Sequence, residues 1–146
     1  MISDQMAKQF RQICQETFGF VGVYGFSDAQ LSGDPPIHSI TARFYGRTLA
    51  IECIWDNKEQ TLEVKIARLV DGKLPSGFAI NAQSGRRVRD HLTQILLRRG
   101  VRGFGFRNVP VSATLVDRWR SILEDYARLL QQHGKAILHE ATDVLD

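Results

Sequence analysis

Residues 40–66 read ITARFYGRTLAIECIWDNKEQTLEVKI, and this stretch decides the fold. Ile40, Ala42 and Phe44 alternate with Thr41, Arg43 and Tyr45. Leu49, Ile51, Cys53 and Trp55 alternate with Ala50, Glu52 and Ile54, and Leu62, Val64 and Ile66 alternate with Thr61, Glu63 and Lys65. Alternation with a period of two puts one side of each segment into a core and leaves the other polar, the signature of half-buried strands. Gly46-Arg47 fits a two-residue turn with glycine first. That turn pairs Tyr45 with Thr48 and sets Phe44 against Leu49, Ala42 against Ile51 and Ile40 against Cys53. A loop at Asn57–Gln60 pairs Trp55 with Leu62, Cys53 with Val64 and Ile51 with Ile66. On the outer face, solvated by expectation, Glu52 then opposes Lys65, a favourable cross-strand pair, and Glu63 is solvated beside them. The reading is an antiparallel meander of three strands, with Phe78-Ala79-Ile80 as a fourth short one after an Asp71-Gly72 turn.

Helices flank the meander. Ser3 caps a helix running to about Thr17, with Met6, Phe10, Ile13 and Cys14 on one face. Phe20–Phe26, apolar and punctuated by Gly22 and Gly25, reads as a short strand, and SDAQLSGDPPIH as a loop. Ser84 caps a second helix to about Arg99 with a stripe of Val88, Leu92, Ile95 and Leu96, ended by Gly100. Ser112 or Thr114 opens a long third helix, whose stripe is Leu115, Trp119, Ile122, Leu123, Tyr126, Leu129 and Leu130. Gly134 interrupts it, and Ala136–Leu145 adds a short terminal helix. Strands followed by helices argue for an α+β class. The expected architecture is one domain, residues 1–146: an N-terminal helix, three to four antiparallel strands, and two to three C-terminal helices on one face of the sheet. The chain has 146 residues, 43% hydrophobic and 24% charged, an ordinary globular composition that excludes rods and global disorder.

Charge is unevenly placed. The net formal charge is +3. Residues 84–107 hold seven arginines against one acid, Asp90, so the rest of the chain is slightly acidic. Arg86 and Arg87 stand at the start of the expected second helix, where an anion suits the dipole and a cation opposes it. Arg87, His91, Gln94 and Arg98 would share one flank of that helix, continued by Arg99, Arg102 and Arg107. These residues form the candidate surface for an anion or a partner, weighed against a plain solvated face. A nucleic-acid surface would want interleaved aromatics, which this helix lacks. RGFGF at Arg102–Phe106 opens like the base-stacking strand of RNA recognition motifs. Arg107 and Val109 then break the pattern, and a helix precedes it, so the two phenylalanines are expected in the core.

No catalytic motif is visible. There is no G-x-S-x-G, P-loop or dinucleotide fingerprint, and His38, His91, His133 and His139 show no metal-ligand spacing. Neither a cofactor nor a metal is expected. Cys14 and Cys53, the two cysteines, fall on core faces and read as small hydrophobes. MISDQMAKQF shows no signal-peptide pattern and no apolar run reaches membrane length, so a cytoplasmic setting is the default.

Residues 5–70 loosely resemble small bacterial α+β proteins of unknown function, including immunity-type proteins of contact-toxin systems. The carrying pattern is a helix, then FGFVGVYGF, a polar loop, ITARFYGRTLAIECIWD and LEVKIARL. The resemblance implies a non-enzymatic inhibitor that binds one protein, and it supplies no site residues. The expected function is binding of a macromolecular partner, a protein first and nucleic acid second.

Overall fold

The computed structural model describes residues 2–32, 38–75, 80, 84–110 and 112–146. Helix α1 (Asp4–Phe18) is followed by a 3₁₀ helix (Gly19–Tyr24) and by β1 (Gln30–Leu31), β2 (Ser39–Tyr45), β3 (Leu49–Asp56) and β4 (Thr61–Arg68). The chain continues through β5 (Arg89–His91), α2 (Leu92–Arg98), α3 (Leu115–His133) and α4 (Lys135–Leu138). The strands form one antiparallel sheet of five in the order β1-β2-β3-β4-β5. The fold is therefore α+β with an N-terminal helix, an antiparallel sheet and C-terminal helices. The sheet has one or two strands more than the meander alone suggests, because two very short strands add to its edges. No helix among the described residues is long and apolar enough to cross a membrane.

The caps explain where the helices start. The Ser3 hydroxyl accepts from the Met6 N–H at 3.1 Å, and the Thr114 hydroxyl accepts from the Asp117 N–H at 3.1 Å. Each satisfies one of the orphan donors of a first turn. The inward sides of the strands and the stripes of α1, α2 and α3 close one core. At its centre Trp119 meets Phe10 and Trp55 edge to face, with ring centroids 5.0 and 5.8 Å apart. Cys14 and Cys53 are buried free thiols in this core. Burial and the neighbouring Cys53 push the Cys14 thiol well above its ordinary value, so it is an unreactive packing group.

The β3–β4 register is as the sequence predicts, with Trp55 opposite Leu62, Cys53 opposite Val64 and Ile51 opposite Ile66. The β2–β3 register differs by two residues. Phe44 faces Ile51, Ala42 faces Cys53 and Ile40 faces Trp55. Faces survive a slip of two, because side chains alternate with period two. The cause is the turn. Gly46 and Arg47 do not form a tight two-residue connection; the Gly46 N–H donates to the Leu49 carbonyl at 2.8 Å, and Tyr45 pairs with Ala50. The Glu140 carboxylate organises this longer loop. Its Oε1 accepts from the Thr48 N–H at 2.7 Å and the Leu49 N–H at 2.9 Å. Burial pushes the Glu140 carboxyl up, but the N–H groups of Thr48, Leu49 and Arg47 outweigh it and hold the group below its ordinary value.

Gly46 is needed here for close approach. A Cβ would come within 2.8 Å of both the Glu140 carboxyl carbon and the Phe26 ring. Gly46→Ala is therefore expected to lose about 1–3 kcal/mol, as overpacking does, measured by urea unfolding. Glu140→Gln should flatten the acid side of the stability profile. A depressed carboxyl contributes stability above its unfolded value of about 4.3 and loses it as pH falls through the folded value.

Two expected elements are different. Where a strand is expected over Phe20–Phe26, the chain forms the 3₁₀ helix Gly19–Tyr24, ended by Gly25 at φ 97°. The second helix begins at Leu92 instead of Ser84. Residues 89–91 pair with the edge of β4, as Lys65–His91, Ile66–Asp90 and Ala67–Arg89. Val88 is still buried, but beside the sheet and not on a helix. Of the expected strand Phe78–Ile80, only Ile80 is described; it bridges Arg87, and Phe78 and Ala79 lie outside the described residues.

Candidate functional site

The predicted arginine surface is not one helix flank. Residues 84–88 precede β5, so Arg86 and Arg87 do not stand at a helix start, and His91 is the last residue of β5. Six of the seven arginines in residues 84–107 face carboxylates among the described residues. Arg86 meets Asp146 at 3.3 Å and Arg87 meets Asp90 at 3.8 Å. Arg98 also binds Asp90. Arg99 lies 3.9 Å from Asp143, and Arg107 is 2.8 Å from Asp125 and 3.6 Å from Glu124. Arg89 crosses the outer sheet face to Glu52 at 2.6 Å. The hydrogen bonds found for Arg102 go to the Leu97 and Val101 carbonyls, at 2.7 and 2.9 Å. His91 Nδ1 is 3.9 Å from Glu63.

Two of these arginines, Arg89 and Arg107, reach buried carboxylates and tie parts of the fold together. Glu52, expected in solvent, is only 1% exposed. Lys65 is opposite it in the register, yet its hydrogen bonds come from Arg43 Nε at 2.7 Å and Arg89 Nε at 2.6 Å. Ala67, opposite Arg89, is small enough to let that long side chain cross β4. Asp125 does the same for the glycine-rich connection. It accepts from the Arg107 N–H at 2.9 Å and Arg107 Nε at 2.8 Å, and from Arg128 at 3.0 Å. Burial pushes the Asp125 carboxyl up, but these donors together hold it below its ordinary value. RGFGF forms no strand. Phe104 packs on the core, and Phe106, still 41% exposed, stacks against Tyr126 with centroids 4.7 Å apart.

A different grouping emerges at one end of the molecule. Segment 142–146 is anchored by Val144 and Leu145 in the core and held by arginines from three parts of the chain. Arg68 Nη1 donates to the Thr142 carbonyl at 3.1 Å, and Arg87 Nη1 donates to the Leu145 carbonyl at 3.2 Å. Arg68 and Arg86 both approach Asp146 Oδ1, at 3.6 and 3.3 Å, and Arg99 approaches Asp143. The structure thus brings together Arg86, Arg87 and Arg99 of the predicted surface. It leaves Arg107 apart, midway along the link between α2 and α3.

Arg99 also lines an open cleft of about 540 Å³ with His133, Lys135, Ala136 and His139. The His139 ring meets Tyr24 edge to face at 5.4 Å, and Tyr24 lines a second cleft with Gly25, Gly46, Arg47 and Glu140. Beside it Val23 is 87% exposed. Sequence reasoning missed Arg68, Lys135 and the histidines of this cleft. For Arg68 a signal existed: the inward alternation Leu62, Val64, Ile66 carries on to residue 68, so an arginine there sits at the rim of the core. Among the described residues, no three His, Cys, Asp or Glu side chains gather as metal ligands would.

Comparison with family models, curated proteins and solved structures finds no match. The functional reading therefore rests on the geometry of this chain.

Proposed function

We propose that the protein acts without catalysis, by binding an acidic protein partner at the end where Arg68, Arg86, Arg87 and Arg99 meet. The observation that carries this reading is segment 142–146 itself. Those arginines hold an acidic stretch of the same chain, Thr142-Asp-Val-Leu-Asp146, at its carbonyl oxygens and at both aspartates. Guanidinium groups that take carboxylates and peptide carbonyls in one geometry suit an acidic peptide surface. Arg86 and Arg99 keep 51% and 38% of their side chains exposed, and Lys135 extends the positive surface into the neighbouring cleft. Charge complementarity of this kind speeds association and selects partners. An immunity-type inhibitor, the role that the resemblance of residues 5–70 implies, is one form of such a binder.

Nucleic-acid binding has less support, since residues 84–99 contain no Phe, Tyr or Trp on which a base could stack. The two readings part in a low-salt gel shift. Nucleic-acid binding predicts an affinity falling steeply with salt; the protein-partner reading predicts no retention of RNA or DNA.

The proposal is tested by affinity capture with the wild-type chain and with Arg86→Glu/Arg99→Glu. Both side chains are surface groups, so the variant is expected to fold. A protein retained by the wild type should be lost from the variant. Equal retention by both overturns the assignment of the surface.

A further inference from the structure

The guanidinium of Arg68 is the least satisfied group at this end of the molecule. It closes β4 on the inward side of the sheet, and its side chain is 18% exposed. Nη1 is occupied by the Thr142 carbonyl. Nε and Nη2 are buried and find no hydrogen-bond partner among the described residues. These two atoms form the side-on edge of a guanidinium, the fork that receives carboxylate, phosphate or sulfate through two parallel N–H···O bonds. A buried donor left unpaired is costly, and here two parallel donors are unpaired together.

The neighbourhood adds a second, independent sign. Arg86 is close enough that both guanidinium groups share the same oxygen, Asp146 Oδ1. Asp146 is hydrogen-bonded to Arg86, at 3.3 and 3.4 Å, and stands 3.6 Å from Arg68, too far to satisfy it. Two cations therefore lean on one carboxylate that is itself 50% exposed. Burial, and after it the charge of Arg86, hold Arg68 below its ordinary value; an anion between them would offset the repulsion between the two guanidinium groups.

We propose that the Nε/Nη2 edge of Arg68, flanked by Arg86, is an oxyanion-binding site whose entrance is held by the Asp146 carboxylate. The proposal rests on the reading that this end is the contact surface, and it names the group recognised there. An oxyanion enters as the Asp146 side chain swings into solvent, takes the fork of Arg68 and shares its charge with Arg86. The oxyanion is a side-chain carboxylate of a partner or a free phosphate. Val144 and Leu145 stay in the core, so only the aspartate side chain has to move.

The test uses the full chain with sodium phosphate and sodium acetate as separate probes at pH 7.5, following the Arg68 Nε–H resonance by NMR at constant ionic strength. A saturable shift of that resonance is expected, with the stronger probe telling phosphate from carboxylate. Asp146→Asn removes the competing charge from an exposed position and should tighten binding at least threefold. Arg68→Lys, which keeps the charge but loses the fork, should abolish saturation. No saturable shift with either probe, or an affinity unchanged in Asp146→Asn, overturns the site. Failure here alongside loss of a captured partner in Arg86→Glu/Arg99→Glu would refute the oxyanion site and leave the partner surface standing.

Discussion

Glu52→Ala is expected to destabilise the protein by about 3–5 kcal/mol, the usual cost of removing one member of a buried ionic group. Glu52 is 1% exposed, and the arginines it binds, Arg43 and Arg89, keep only 18% and 13% of their side chains in solvent. Its removal leaves two guanidinium groups close together over Ala50 and Ala67 with no carboxylate between them. Urea unfolding should show a lower midpoint with a similar slope. Glu52→Gln should fall in between, because an amide oxygen still accepts a bond but carries no charge. A loss below about 1 kcal/mol would mean that the arginines reach water freely, as in surface pairs, and that this triad does not brace the sheet.

Asp125→Ala should cost somewhat less, about 2–4 kcal/mol. Three charge-assisted or backbone bonds end on this carboxylate, and bonds to charged groups contribute about 1.5–3 kcal/mol each. Arg107 and Arg128 are half exposed, so both recover hydration and the full sum is not lost. The effect should also be local. Residues 102–110 hang on Asp125 through the Arg107 backbone and side chain, so their amides should exchange faster while the sheet stays protected. The wild-type contribution is present above the ordinary aspartate value of about 3.9 and fades as pH falls through the lower folded value. Asp125→Ala should therefore unfold with less dependence on acid than the wild type.

What the sequence makes legible follows from interaction range. The β3–β4 pairing is readable because a local loop and a two-sided pattern both fix it. The β2–β3 register is not, because the loop at Gly46–Thr48 is shaped by Glu140, some 90 residues further on. An apolar run such as Phe20–Phe26 has no period to separate strand from helix, and the left-handed Gly25 ends it early. The start of the second helix is hidden for a tertiary reason: residues 89–91 satisfy the free edge of β4, and pairing there outweighs helix propensity. The arginine cluster is visible as composition. Its division into arginines that brace the sheet and the link before α3 and arginines that hold segment 142–146 depends on acids at positions 52, 125, 143 and 146, which no local pattern links to it.

Hydrogen exchange on the complex with the captured protein tests the central claim most directly. New protection is predicted at residues 84–99 and 135–146, with the outer sheet face around Thr41, Arg43 and Lys65 unchanged. Protection confined to that sheet face, with the arginine end exchanging as in the free protein, would contradict the account.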